Sequence, residues 1–85
     1  MKNPRNIVGP IVRESREKMG ITQAQLAAKL NVSGWDISRE TLAKIESQIR
    51  WVADFEIPLL AISVGLEPVQ LLTQAIAKVP KRRSG

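Results

Sequence analysis

The chain has 85 residues, the length of a single domain with one hydrophobic core. It carries 13 Lys and Arg against 8 Asp and Glu, a net charge of +5, which favours a polyanionic partner such as nucleic acid or an acidic membrane surface. No apolar run reaches the roughly 18 residues of a membrane span, the first residues lack a signal-peptide pattern, and cysteine is absent. We therefore expect a soluble cytoplasmic protein without disulfides or thiolate metal sites.

The first predicted helix runs from about Asn6 to Met19. Pro10 is tolerated near its first turn, and Gly20 suits the left-handed residue that closes it. Residues spaced four apart predict the buried stripe of this helix, which consists of Ile7, Ile11, Ser15 and Met19. Val8 and Val12 widen this stripe.

Two local patterns predict the starts of the second and third helices. In the first, Thr22 caps the backbone and Gln25 reaches back to complete a capping box. In the second, Ser38 takes the cap and is followed by a helix to about Ser47. The second helix is expected to end near Leu30, with Asn31 in the closing conformation. The flanking staple residues are Ile21 and Leu26 for the first start, and Ile37 and Leu42 for the second. The residues expected inside are Leu26, Ala27 and Leu30 on the second helix, and Leu42 and Ile45 on the third.

Two further helices complete an all-α fold in which we expect no strand. The fourth begins near Asp54, but Pro58 would cost a hydrogen bond there, so its start is expected to be irregular or later. It ends at Gly65. The fifth begins with Pro68 and cannot continue far past Pro80. The residues expected inside are Phe55, Leu59, Leu60 and Val64 on the fourth helix, and Val69, Leu72 and Ile76 on the fifth.

The stretch TQAQLAAKLNVS, followed by ISRETLAKIE, a polar loop, an apolar helix ending in VGL and a short EPVQLL helix, resembles a known family. It is similar to the Cro and phage-repressor type of helix-turn-helix domain, also called the xenobiotic-response-element family, over about residues 8–72. The resemblance implies a compact five-helix lambda-repressor-like DNA-binding domain at 1–77, with 78–85 as a basic C-terminal tail. That tail is either solvated or in nonspecific contact with phosphate.

The connection between the second and third helices departs from the family. Family members usually use a tight turn of about four residues, whereas here residues 31–37 intervene before the Ser38 cap. The turn is therefore lengthened, and the third helix can be tilted or shifted. Trp35 in this turn either covers the gap that the insertion opens, which we favour, or stacks on the DNA backbone.

The outer face of the third helix is predicted to read bases. Arg39 or Lys44 can donate to guanine, Glu40 can accept from cytosine, and Ala43 leaves room for a thymine methyl group. The alternative is that these are ordinary exposed helix residues. The pattern of helix caps and their spacing favours base contact.

Phosphate contacts are predicted on both sides of that helix. Thr22 and Gln23 open the second helix, where backbone N–H groups favour phosphate, although Thr22 can also serve only as a cap. Gln48 and Arg50 match the loop that touches the other phosphate flank in family members. Trp51 belongs to this loop, or packs beneath it, or meets a second subunit.

The resemblance also implies an ion pair between Arg16 and Glu46 that joins the first helix to the end of the third. Removing one partner of such a buried pair strands the other.

An enzyme is an interpretation we reject, because the sequence has no His, Cys or Tyr and no paired carboxylates or glycine-rich phosphate loop. The predicted function is sequence-specific binding of double-stranded DNA by a homodimer, as a transcriptional regulator and as a repressor in preference to an activator. We expect no cofactor, no membrane partner and no small-molecule effector. The alternative is a protein-interaction or antitoxin-like adaptor that uses the apolar end of the chain, namely Leu66, Val69, Leu72 and Ile76.

Overall fold

The computed structural model describes residues 3–80, which form five α-helices and no strand. A 3₁₀ turn at Asp54–Glu56 precedes the fourth helix. The predicted all-α architecture is confirmed. The helices are α1 Gly9–Lys18, α2 Gln23–Val32, α3 Arg39–Glu46, α4 Ile57–Ser63 and α5 Pro68–Lys78.

Helix α1 begins three residues later than its apolar pattern predicted. The Asn6 side chain accepts a hydrogen bond from the Gly9 N–H at 2.7 Å, so Asn6 precedes the helix instead of starting it. Gly20 closes it with a φ of 73°, as predicted. Met19 was wrongly placed in the core and is exposed, whereas Arg16 is buried. The buried stripe consists of Val8, Ile11 and Val12 and continues to Arg16. A search for apolar residues at helical spacing does not include a charged residue, so it missed Arg16.

The capping box at the start of α2 is confirmed. The Gln25 N–H donates to the Thr22 hydroxyl at 3.1 Å, and the Thr22 N–H donates to the Gln25 side chain at 2.8 Å. The predicted end at Leu30 is wrong, because the helix continues to Val32. The residue with left-handed geometry is Gly34, with a φ of 102°.

The lengthened connection, residues 33–38, is held in place by hydrogen bonds from Asn31, the residue that was expected to end α2. Asn31 remains helical, and its side-chain amide donates to the carbonyls of Trp35 at 2.8 Å and Ile37 at 3.0 Å. A backbone carbonyl that is shielded from water needs such a partner. The connection is therefore an ordered part of the domain, and Trp35 is half-buried and packs against the core.

The irregular start of α4 is confirmed, since the helix begins at Ile57 with Pro58 in its first turn. Phe55 was wrongly assigned to the inner side and is exposed, while Glu56 is buried. The Ala53 N–H donates to the Glu56 carboxylate at 3.0 Å, which turns this charged side chain inward. Gly65 closes the helix with a φ of 77°.

Helix α5 ends near Pro80 as predicted, but its inner face differs from the predicted one. Leu71 and Ala75 are fully buried, whereas Val69 and Ile76 are exposed. The apolar residues of α5 form one broad face, with Val69 and Ile76 at one edge of it and Leu71 and Ala75 toward the other. Periodicity identifies this face but does not show which of its edges is packed. Of the predicted basic tail, Lys78 is the last residue of α5, and its ammonium lies 3.1 Å from the Glu14 carboxylate. Residues 81–85 lie outside the described part of the chain.

The hydrophobic core joins all five helices. Helix α3 packs against α1 and α2, α4 packs against α2 and α5, and α5 also packs against α1. Burying one aliphatic side chain of this size contributes roughly 1.5–3 kcal/mol, so the inner face of α3 is firmly held. The core residues are Val8, Ile11, Val12, Leu26, Ala27, Leu30, Ile37, Leu42, Ile45, Leu60, Ala61, Val64, Leu71 and Ala75.

Within residues 3–80, no single helix has the length and apolar character to cross a membrane. The segments Asp54–Ser63 and Pro68–Lys78 meet that test only as a pair, and they are bent at 101° to each other. Leu60, Ala61 and Leu71 from these segments are fully buried.

Candidate nucleic-acid interface

Helix α3 presents a polar outer face at a capped N-terminus. The Ser38 hydroxyl accepts a hydrogen bond from the Thr41 N–H at 3.1 Å. Leu42 and Ile45 point into the core. The four predicted base-reading residues lie on the other side, where Arg39, Glu40 and Lys44 are exposed and Ala43 is half-buried.

Arg39 stands at the first position of α3 with 53% of its side chain exposed. Its guanidinium lies 3.6 Å from the Glu40 carboxylate and 3.5 Å from the side-chain oxygen of Gln23. Both distances are long and both partners are on the surface, so these contacts orient Arg39 without covering it.

Gln23 links the start of α2 to both ends of α3. Its amide nitrogen donates to the Glu46 carboxylate at 3.0 Å, and its oxygen faces Arg39. Thr22 is exposed and serves as the cap. The predicted phosphate-contact pair at the start of α2 therefore lies beside the outer face of α3, which carries the residues predicted to contact bases.

Arg16 and Glu46 form a bidentate ion pair between α1 and the end of α3. The guanidinium donates to the two carboxylate oxygens at 2.7 and 3.0 Å, and the side chains are only 10% and 2% exposed. Arg16 also donates to the Ile21 carbonyl at 2.9 Å. The hydrogen bond with Glu46 raises the pKa of Arg16 against the opposing effect of burial. The pair therefore joins α1 to the end of α3 and fixes that end.

Gln48 follows α3 in the left-handed region, with a φ of 66°. This is an uncommon conformation for a residue other than glycine. Its side-chain amide donates to the Asn6 carbonyl at 2.9 Å, and its own carbonyl accepts the Arg5 N–H at 2.9 Å. Gln48 is thus tied to the segment before α1, which leaves its side chain less available for phosphate than the sequence suggested.

Arg50 is the predicted phosphate contact with the least structural support. Its guanidinium donates to both Glu56 oxygens, at 3.0 and 3.2 Å, and to the Trp51 carbonyl at 2.9 Å. It also lies 5.9 Å from the centre of a Trp35 ring, within the range of a cation–π contact. This geometry gives Arg50 an internal role.

Glu56 is the buried partner that holds Arg50. Burial alone would raise the pKa of Glu56, but the hydrogen bonds from Arg50 and the Ala53 N–H, with the charge of Arg50, outweigh burial and lower that pKa. Trp35 covers this cluster from the lengthened connection, in agreement with the gap-filling interpretation. Trp51, in contrast, is 70% exposed.

The segment before α1 is a part of the site that the sequence did not reveal. The Asn6 side-chain amide donates to the carbonyls of Ile45 at 3.0 Å and Arg50 at 2.9 Å. A Cβ atom at Gly9 would overlap the Ile45 carbonyl oxygen, so only glycine allows α1 to approach the end of α3 this closely. An asparagine three residues before a helix-starting glycine was the available signal.

In the part of the chain that the structure describes, no group of acidic or other ligating residues could hold a metal ion. A capped pair of helices with a polar outer face, supported by three further helices, defines the class of helix-turn-helix domains. The family model described as "Helix-turn-helix" (HTH_3) matches residues 12–70, and the chain belongs to this Cro/phage-repressor-like family. It is a DNA-binding family, and DNA is therefore the partner that membership indicates. No curated protein and no solved structure matches the chain.

Proposed function

We propose that this protein is a transcriptional regulator that binds double-stranded DNA sequence-specifically with α3 in the major groove. The observation that carries the proposal is the exposed outer face of α3 on a helix fixed at its far end by the Arg16–Glu46 pair. A reading surface must be both accessible and held in one orientation. We favour repression over activation because of the likeness to phage repressors.

The base contacts follow from the chemistry of the exposed face. Arg39 and Lys44 are donors suited to guanine O6 and N7, and Glu40 is an acceptor suited to the N4 amino group of cytosine. Ala43 is small enough to admit a thymine methyl group. Each good contact of this kind discriminates against a wrong base by about 1–3 kcal/mol.

The proposed phosphate contacts are ranked by whether each side chain already has a hydrogen-bond partner within the protein. At the start of α2, Thr22 and its neighbouring backbone N–H groups offer donors at the positive end of a helix dipole. Gln23 can use its second amide hydrogen while it remains bonded to Glu46. Gln48 and Arg50 are already engaged within the protein, so we rank their contributions below those of Thr22 and Gln23.

We also propose that the protein acts as a symmetric homodimer, at least on DNA. One α3 reads only a few base pairs, and two-fold symmetry doubles the contact set on a palindromic site. A DNA partner is consistent with the expected cytoplasmic location.

Selection of binding sites from random duplexes tests the proposal. Enrichment of a two-fold-related motif, with affinity that falls as salt rises, is the expected result. Titration of selected and scrambled duplexes at several salt concentrations measures the specificity ratio. Failure to bind any duplex at low salt would reject DNA recognition.

That same failure would favour the second candidate, a protein-interaction or antitoxin-like adaptor. The observation in its favour is that Ile62, Val69 and Ile76 on α4 and α5 are exposed. Scattered exposed apolar residues are common on monomeric proteins, so this candidate ranks second.

A further inference from the structure

The loop that follows α3 has one basic side chain, that of Arg50, which already forms an ion pair with Glu56. From Ile45 to Glu56, Arg50 is the only Lys or Arg in the sequence. Its side chain is 31% exposed, and its guanidinium is held by Glu56 from one side and faces Trp35. Turning it toward a phosphate would leave the buried Glu56 carboxylate unpaired, which is costly. Arg50 is therefore unsuited to a phosphate contact.

A second arginine reaches the same loop from the other end of the chain. The Arg5 backbone N–H donates to the Gln48 carbonyl at 2.9 Å, and its guanidinium lies 3.5 Å from the Ile49 carbonyl. Two bonds of Asn6 to Ile45 and Arg50, and one from Gln48 back to Asn6, hold the adjoining residue. The backbone of Arg5 is thus fixed against the loop.

The side chain of Arg5, by contrast, is exposed and weakly engaged. Its contact with Ile49 is at the outer limit of hydrogen-bond length and has a neutral acceptor. A phosphate oxygen accepts a charge-assisted hydrogen bond that is roughly twice as strong. Arg5 thus has a fixed backbone and an exposed guanidinium whose one internal acceptor is weak. These are the properties expected of a residue that binds phosphate.

We propose that Arg5 supplies the phosphate contact at the loop after α3, in the role that the sequence suggested for Arg50. The segment before α1 and this loop then form one phosphate-binding edge, separate from the edge formed by the start of α2. This inference rests on the proposed DNA-binding function. It assigns Arg50 to the stability of the domain and Arg5 to DNA affinity.

The test measures DNA affinity against salt for the full chain and for Arg5→Ala, Arg5→Lys and Arg50→Ala. Lys29→Ala, which removes an exposed cation from the last turn of α2, is the matched control. The probes are the duplex obtained by selection and a scrambled duplex. Thermal unfolding of each variant is recorded in parallel.

Arg5→Ala is expected to reduce the slope of log K against log salt by about 0.9, the value for one phosphate contact. It should weaken the selected and scrambled duplexes by the same factor and leave the melting temperature unchanged. Arg5→Lys should restore most of the slope. Arg50→Ala should lower the melting temperature and, at a temperature where it is folded, keep the wild-type slope. Lys29→Ala should change neither.

The inference is overturned if Arg5→Ala keeps the wild-type slope, if Lys29→Ala loses as much slope as Arg5→Ala, or if Arg50→Ala loses slope without loss of stability. In each of these cases the wild-type protein still binds DNA, so the proposed function survives. Absence of salt-dependent binding by the wild-type protein would reject both.

Discussion

At its C-terminal end, α3 is fixed by side chains from three other parts of the chain, whereas a single hydroxyl caps its N-terminal end. Asn6 bonds to the Ile45 carbonyl, and Arg16 and Gln23 bond to Glu46. At the other end, the Ser38 cap is followed by exposed side chains. The helix is thus anchored where it leaves the proposed groove and accessible where it would enter it.

This difference separates two properties that a reading helix needs. If α3 reads DNA as proposed, its orientation is already determined in the free protein, so little ordering of α3 is required on binding, and such preorganisation improves affinity. Discrimination depends on side chains that have few internal partners. Variants at the two ends should therefore have different consequences, which the following four predictions test.

The largest effect is expected for Arg16→Met at the anchored end. The variant leaves the Glu46 carboxylate buried without its cation, at a cost of about 3–5 kcal/mol in the free energy of unfolding. The control is Arg13→Met, because Arg13 forms an exposed ion pair worth under about 1 kcal/mol. Chemical denaturation of the two variants measures the free energy of unfolding of each. Equal denaturation midpoints for the two would contradict an anchoring role.

Gly9→Ala tests the close approach of α1 to the end of α3. Alanine favours helix by about 1 kcal/mol over glycine, yet its Cβ would overlap the backbone oxygen of Ile45. Backbone cannot move aside as a flexible side chain can, so we expect a net loss of about 1–3 kcal/mol. Thermal unfolding checks this, and a melting temperature at or above that of the wild type would show that the helices separate without cost.

Lys44→Ala tests the accessible face. It should change preference at one base pair by about 1–3 kcal/mol and leave the free energy of unfolding within about 0.5 kcal/mol of the wild type. Competition among duplexes with single base changes gives the measurement. If every duplex weakened by the same factor, Lys44 would be a phosphate contact instead.

Ser38→Ala tests the weaker of the two attachments. Loss of the bond from Thr41 should cost about 1 kcal/mol, the usual effect of removing a serine cap. Because the start of α3 would fray, affinity for selected DNA should fall more than affinity for scrambled DNA. Calorimetric unfolding and titration on the two duplexes are the measurements, and unchanged specificity would indicate that DNA itself orders this end.

The parts of the site that could be predicted from sequence are those with local causes. The caps at Thr22 and Ser38 depend on partners three residues away, and the closing glycine at position 20 depends on its own backbone. Such features are visible in any short window. The ion pair between Arg16 and Glu46 was expected only through the family resemblance, because the partners lie 30 residues apart.

The features that the sequence did not show have nonlocal causes. The apolar face of α5 is broad, and only its packing against α1 and α4 decides that Leu71 faces inward and Val69 outward. Gln48 and Arg50 carry groups suited to phosphate, but Asn6 and Glu56 engage them in the folded chain. Sequence shows that a donor exists and not which acceptor it will meet.

The fastened connection at 33–38 has a consequence for how α2 and α3 come to be oriented. Since the Asn31 amide satisfies its carbonyls and Trp35 seals its inner side, the added residues need not strain either helix. Leu30 on α2 and Leu42 on α3 are both fully buried in the shared core, which holds the two helices against each other. The lengthened connection is therefore compatible with close packing of α3 against α2, the arrangement that a double helix would meet.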